Sequence, residues 1–283
     1  ASSIFAIGGM VLLIIILCTT EIHAKVKIYV MTDLEGISGV YQFAQTREKG
    51  TPLYNKACEY FMDDVAAVIK GLRDGGATEI VVRDGHGIGS LIPHMMFPGV
   101  KYIAGAPRPS KGPLPEFDSS YDALVMIGFH AMMGTQDGVL HHSNSSKREN
   151  RYWYNGVESG ELAQCALIAG HYEVPLIMVS GDEATCREAR TFFGNEIVTV
   201  ATKKGLSREA AILYPFEENH KALYKGAKQA IRIIPKIKPY KIEVPIQIRE
   251  QSLKDPNTPK SGINIREGVA RDALHIFNWR KDK

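Results

Sequence analysis

Residues 26–39 read VKIYVMTDLEGISG, an apolar run that ends on two carboxylates, Asp33 and Glu35, and then on glycine. Val26, Ile28, Val30 and Met31, with Tyr29, have the composition of a short, largely buried strand, and Gly36 and Gly39 mark the turn that leaves it. Asp33 and Glu35 are two apart, so an extended backbone through Leu34 points both to one side. Open α/β sheets bind ligands beyond the carboxyl ends of their strands, and paired carboxylates there suit a divalent cation. In isolation the same stretch also reads as a turn with two solvated acids.

The rest of the chain repeats the pattern. Tyr54 to Leu72 carries Ala57, Phe61, Val65, Val68 and Leu72 at spacings of three and four, one helical face, and Gly75 and Gly76 close it. Glu79 to Val82 is a second strand, and it runs into Asp84-Gly85-His86-Gly87. Strand, helix, strand implies a parallel crossover, which brings His86 to the sheet edge that holds Asp33 and Glu35. Residues 87–120 are rich in Pro and Gly and read mostly as loop, with a short strand at Tyr102 to Ala104; His94 there is assigned to packing or surface. Ala123 to Gly128 is a third apolar strand and ends on His130. Three strands ending in Asp/Glu, His and His are hard to explain by core packing.

Met132 to Asn155 reads as a long polar loop containing His141 and His142, of which geometry admits at most one to a site. Ser159 to Gly170 is a predicted helix with Glu161 in its first turn, where an acid also suits the helix dipole. A fourth strand at Val174 to Val179 closes on Ser180-Gly181-Asp182-Glu183, and a helix from Ala184 and a strand at Ile197 to Ala201 follow. Beyond Thr202 the periodicity predicts helices over 207–213, 218–231 and 268–277 and a strand over 244–248, with prolines at 235, 239, 245, 256 and 259. The expected fold is α/β: a mainly parallel sheet flanked by helices in a Rossmann-like three-layer arrangement over 25–201, with a smaller C-terminal α+β region over 202–283.

The chain has 283 residues, 45% hydrophobic and 23% charged, enough for a sizeable core. A net charge of +3 without a long basic run points away from nucleic acid. Residues 1–24 hold an apolar run, Ile4 to Cys18, short of the about 20 apolar residues of a membrane span, then a polar stretch, Thr19 to Ala24, and read as a signal peptide, with an uncleaved anchor as the alternative. On that reading the protein is exported, periplasmic or extracellular, or held at a membrane by this segment alone. Cys58, Cys165 and Cys186 show no metal-type spacing and imply no disulfide framework.

Asp33, Glu35 and Glu161 with neutral His86 and His130 give a formal charge of −3. Two divalent cations sharing a carboxylate, with one hydroxide, would neutralise that set. Mixed His and carboxylate ligation is typical of zinc, and manganese, cobalt or iron accept the same donors. Hydrolysis is the natural reaction class of such a pair.

These residues resemble the zinc-dependent D-aminopeptidases of the dipeptide-transport type. The matching pieces are Asp33-Leu34-Glu35-Gly36-Ile37-Ser38-Gly39, Asp84-Gly85-His86, Gly128-Phe129-His130-Ala131, Gly138-Val139-Leu140-His141-His142-Ser143, Asn155 through Gly160-Glu161-Leu162, and Val179-Ser180-Gly181-Asp182, in family order. The resemblance implies a dinuclear zinc site with Asp33, Glu35, His86, His130 and Glu161 as ligands and Asp33 as bridge. It also implies a catalytic histidine at His142, acting as nucleophile or base, and Lys203, Arg208 and Asn144 on the substrate side; since metal-bound hydroxide is already a competent nucleophile, the chemistry favours a base or an oxyanion stabiliser. The implied substrates are short peptides with an N-terminal D-residue of the D-Ala type, and the implied assembly is a homo-oligomer, in the family a ring-shaped decamer. The rival readings are another dinuclear metallohydrolase, such as an L-aminopeptidase, amidase or phosphoesterase, and a non-catalytic exported protein that binds metal or peptide.

Overall fold

Alternate side chains of the first strand, Ile28 and Val30 against Tyr29 and Met31, enter two different cores, so this strand lies in the middle of a layered fold with both faces covered. The computed structural model describes residues 25–87, 89–105 and 112–279. In chain order the elements are β1 (Lys27–Thr32), α1 (Ala44–Arg47), α2 (Pro52–Gly75), β2 (Glu79–Asp84), β3 (Lys101–Ile103), β4 (Ala123–Ile127), β5 (Arg151–Tyr154) and β6 (Val157–Glu158). There follow α3 (Glu161–His171), β7 (Leu176–Asp182), α4 (Glu183–Phe193), β8 (Val198–Ser207), β9 (Ala210–Leu213), α5 (Phe216–Ile233), β10 (Ile246–Leu253) and β11 (Ile263–Ala270).

Among the described residues seven strands make the main sheet, ordered β3-β2-β1-β4-β7-β8-β9, and all neighbours are parallel except β8 and β9. The expected α/β, mainly parallel, helix-flanked architecture is therefore the observed one. Helix α2 starts where Thr51 accepts the Tyr54 N–H and Pro52 needs no donor, and it stops at Gly76 in the left-handed region. Its stripe Ala57, Phe61, Val65, Val68 and Leu72 packs with Leu223 and Ala227 of α5 on one face of the sheet. On the other face Leu162, Ala166 and Ile168 of α3 and Ala189 of α4 cover Tyr29, Met31, Leu124 and Met126.

A second sheet, ordered β11-β10-β5-β6, is antiparallel and packs Tyr154, Ile246, Ile248 and Trp279 against Leu167 on the back of α3. Here the sequence expectations change. The polar loop expected over 132–155 contains β5, whose partner β10 lies about a hundred residues further on, beyond the reach of local pattern. Residues 210–213 are a strand, not a helix, because β8 continues to Ser207 and the chain turns straight back on it; one short stretch cannot offset helix nucleation against a ready strand edge. Residues 268–270 complete β11, and only a single turn at Ala273–His275 remains of the helix expected over 268–277. Gly268 is pressed to the indole of Trp279, which a side chain there would displace. The expected boundary after residue 201 falls inside β8, whose strand runs unbroken from Val198 to Ser207.

Phe61 is fully buried at the centre of the α2 stripe. Phe61→Ala should cost about 3–5 kcal/mol, seen as a lower urea midpoint with an unchanged slope, whereas an unaltered midpoint would place this ring outside the core.

Candidate metal centre

Strand order reverses between β1 and β4: β1 pairs with β2 on one side and β4 on the other, and the crevice beyond this switch point is where such sheets bind ligands. The backbone stays paired past the strand ends, the Asp33 N–H donating to Ile127 O at 2.9 Å and the Gly36 N–H to Gly128 O at 2.7 Å. A Cβ on Gly36 would sit 1.9 Å from Phe129 O, so only glycine allows this crossing. Asp33 and Glu35 do face the same way, and the His86 Nδ1 lies 3.0 Å from Asp33 Oδ1 and 3.0 Å from Glu35 Oε2. His130, buried just past β4, points its Nε2 at Asp33 Oδ2, 3.4 Å away, and at Glu161 Oε1, 3.5 Å away. Glu161 opens α3, and a Cβ on the preceding Gly160 would lie 2.6 Å from Met132 Cβ and 3.0 Å from Glu188 Oε1.

His142 stacks on His130 with ring centroids 3.8 Å apart, and its Nε2 is 3.8 Å from Glu161 Oε1. A carbonyl can only accept, and this assigns the tautomers. His86 donates Nε2–H to Thr46 O (2.8 Å), His130 donates Nδ1–H to Ala131 O (3.0 Å), and His142 donates Nδ1–H to Leu140 O (2.8 Å). Each ring therefore turns its other nitrogen toward the carboxylates, and in the neutral form that nitrogen is a lone pair. That is the arrangement by which a backbone partner orients a metal-ligating histidine.

The electrostatics show a corner short of positive charge. Burial works against charging His86 and His130, yet the facing carboxylates push His130 up to about 10 and His86 well above the usual range. Burial also works against the Asp33 carboxylate, but His130 and His86 hold it well below its ordinary value. Burial pushes Glu161 up to about 7 against the pull of His130. Burial and the neighbouring His130 keep His142 well below the usual imidazole range, hence neutral. The His130 Nε2 is buried without a hydrogen-bond partner, and Asp33, Glu35 and His130 on one side, and His130, His142 and Glu161 on the other, bring ligand atoms within 4.8 Å of one another. These donors fit divalent cations.

The remaining expected site residues divide. His142 lines the open cleft of about 430 Å³ above the carboxylates, whereas His141 accepts the Gly134 N–H at its Nδ1 and burial lowers it to about 4. Asn144 lines the cleft too, but its backbone N–H is committed to Glu161 Oε1 (2.6 Å) and its side-chain amide to Gln164 (3.0 Å). Lys203 does not reach substrate space: it is fully buried, and its Nζ donates to Glu35 O and Ile37 O, 2.7 Å each, bracing the loop that carries Glu35. Arg208 is half-buried behind the cleft, donating to Ser146 O at 3.3 Å and lying 3.9 Å from Glu149. Sequence reasoning missed Thr46, which fixes His86, and the cleft-lining Arg47, Ser146 and Lys147. No periodicity or spacing marks them in an irregular polar stretch. A larger groove of about 610 Å³, on the second sheet beside Trp153 and Arg249, carries Glu267 as its one carboxylate and no histidine.

A model of peptidase family M55, the D-aminopeptidases, matches residues 26–258. The chain belongs to this family. It is thus a hydrolase of the aminopeptidase class. A D-aminopeptidase of Bacillus subtilis (strain 168) is 28% identical over 214 residues, which cover 75% of this chain and 76% of that one. A solved structure, the Zn-dependent D-aminopeptidase DppA from Bacillus subtilis, a self-compartmentalizing protease, superposes with a TM-score of 0.81 at 24% identity over 90% of this chain and 96% of its own. The match to this solved structure runs against one expectation, that the protein is exported or membrane-anchored. The structure it matches is that of a protease that forms its own compartment, and no helix among the described residues is long and apolar enough to cross a membrane. The segment on which that expectation rested, residues 1–24, lies outside the described residues.

Lys203→Met should leave the Glu35 carbonyl without a side-chain donor and the Ile37 carbonyl with the Val40 N–H alone, cost about 1–3 kcal/mol, and lower the melting temperature accordingly. An unchanged melting temperature would show that the Glu35 loop does not depend on this ammonium.

Proposed function

We propose that Asp33, Glu35, His86, His130 and Glu161 hold two zinc ions, and that the enzyme removes an N-terminal D-residue, D-Ala in type, from short peptides. The observation that carries this is the convergence of three carboxylates with imidazoles that each anchor one nitrogen on a backbone carbonyl and aim the other at the carboxylates. The two oxygens of Asp33 diverge, Oδ1 toward His86 and Oδ2 toward His130, which suits a carboxylate shared by two cations. Zinc in such a donor set acidifies water and polarises a carbonyl.

The chain's own groups do the rest. The acidic floor draws the amino end of the peptide into the cleft. His142, neutral and anchored through Nδ1–H to Leu140 O, accepts at Nε2 the proton released as water adds to the scissile carbonyl and returns it to the leaving amine. By analogy with the self-compartmentalizing Bacillus structure, we read this chain as a homo-oligomer, in ring form a decamer. The exposed Ile263, Ile265 and Val269 along the edge strand β11 support such an assembly.

One observation favours a second role for His142: its Nε2 belongs to the same donor group as His130 and Glu161, so it is placed to ligate as well as to accept a proton. His142→Ala separates the two, since a base should cost roughly 10²-fold or more in kcat with zinc content intact, whereas a ligand should cost metal. His130→Ala should lose metal in either case. The activity itself is tested with zinc-loaded protein on D-Ala-D-Ala and L-Ala-L-Ala, with and without chelator. Chelator-sensitive cleavage confined to the D form is the expected result; equal cleavage of both, or of neither, would overturn the D-peptide assignment.

A further inference from the structure

Among the described residues the cleft lining carries no apolar side chain: apart from Asp33, Glu35, His86, His142 and Glu161 it presents glycine, Thr46, Asn144, Ser145, Ser146, Arg47 and Lys147. What the described lining does offer is charge of both signs, the carboxylates of Asp33, Glu35 and Glu161 with the cations of Arg47 and Lys147.

Arg47 is held in place for a purpose its internal bonds do not exhaust. Its Nε and Nη2 donate to the Oγ and the carbonyl of Ser146, at 3.0 and 2.8 Å, and its guanidinium lies 3.3 Å from the centre of the Phe43 ring. Arg208 donates to the same Ser146 carbonyl and faces the same ring at 5.1 Å. Two guanidiniums are thus gathered at one point; Arg208 has Glu149 beside it at 3.9 Å, while among the described residues Arg47 makes no ion pair and feels the Glu35 and Glu209 carboxylates only at longer range. Like charges so placed call for an anion. Arg47 also follows directly on Thr46, whose carbonyl orients His86, so this cationic group stands next to the metal-ligand support.

Resting on the aminopeptidase reading above, we infer that Arg47, with Lys147, forms the subsite for the free carboxylate at the far end of a short peptide. A dipeptide spans about 7 Å when extended, so its amino end on the acidic floor and its carboxylate on this wall fit one small cleft. The enzyme is then selective for unblocked short peptides, through charge at both ends and not through side-chain bulk.

The test measures kcat/KM, and calorimetric binding to the zinc-loaded protein, for D-Ala-D-Ala and for its C-terminal amide. The wild type should favour the acid by about 10- to 100-fold, the range of a charge-assisted hydrogen bond. Arg47→Gln should collapse the acid-to-amide ratio toward one through KM, and Arg47→Lys should restore part of it. A parallel fall for both substrates in Arg47→Gln would make Arg47 a brace for the Ser146 loop and overturn the proposal, as would a wild type indifferent to the amide. Carboxylate-dependent binding without turnover of either peptide would retire the D-peptide reading and leave the subsite standing.

Discussion

Asp33, Glu35 and Glu161 are brought within a few ångströms of shared neighbours at the carboxyl edge of a parallel sheet, with Asp33 and Glu35 nearly out of reach of water. Their mutual repulsion is not relieved by folding. The local backbone fixes it in place instead, the Leu34 N–H holding Asp33 Oδ1 and the Asn144 N–H holding Glu161 Oε1. The surrounding histidines cannot relieve it as neutral rings, because each spends its one N–H on a carbonyl. The arrangement is stable only with added positive charge, supplied by protons on His86 and His130 or by cations. A cation that binds this corner in the folded chain and not in the unfolded one contributes its binding free energy to folding.

Lys203 shows how the same deficit shapes the interior. Burial lowers the lysine to about 8, and the nearby Asp182, Asp64 and Glu35 work against that loss of charge. Its ammonium serves the backbone of the site, not the substrate, because its donors end on the carbonyls of Glu35 and Ile37. The peptide unit that aims Glu35 is therefore fixed from behind by a strand, β8, that contributes no ligand. Gly36, crossing Phe129 O, fixes it from the side.

The central fold and the site corner were legible for one reason: each parallel strand is a continuous apolar run whose final residues leave the sheet at the same edge. Asp33, Glu35 and His86 could be grouped from the order strand, helix, strand, and His130 from a third apolar strand that ends in the same way. Glu161 could be grouped only on charge and resemblance, since an acid at a helix start has a dipole reason to be there. The second sheet was not legible because β5 pairs with β10 across a sequence gap no periodicity spans, and the short β9 has no pattern until β8 is beside it. Thr46 and Arg47 were invisible for a related reason. Their roles come from a carbonyl and a guanidinium placed by a four-residue helix, and neither depends on a recognisable motif. Lys203 was misread because a lysine in sequence carries a strong presumption of exposure, which two carbonyls and three nearby acids here reverse.

A cleft whose described lining carries no apolar side chain has few apolar contacts with which to sense handedness. If the amino end rests on the acidic floor, the scissile carbonyl is reached by His142, and the terminal carboxylate meets Arg47, three points of the substrate are fixed. The direction of the Cα substituent then follows from the backbone alone, and the two enantiomers send it to opposite sides. One side faces the wall built by Asn144, Ser145 and Ser146, which Arg47 ties to α1 and Glu161 ties to α3 through the Asn144 amide. On this argument stereoselectivity is a property of that tethered wall, and loosening its tethers should blur the distinction between enantiomers before it abolishes binding.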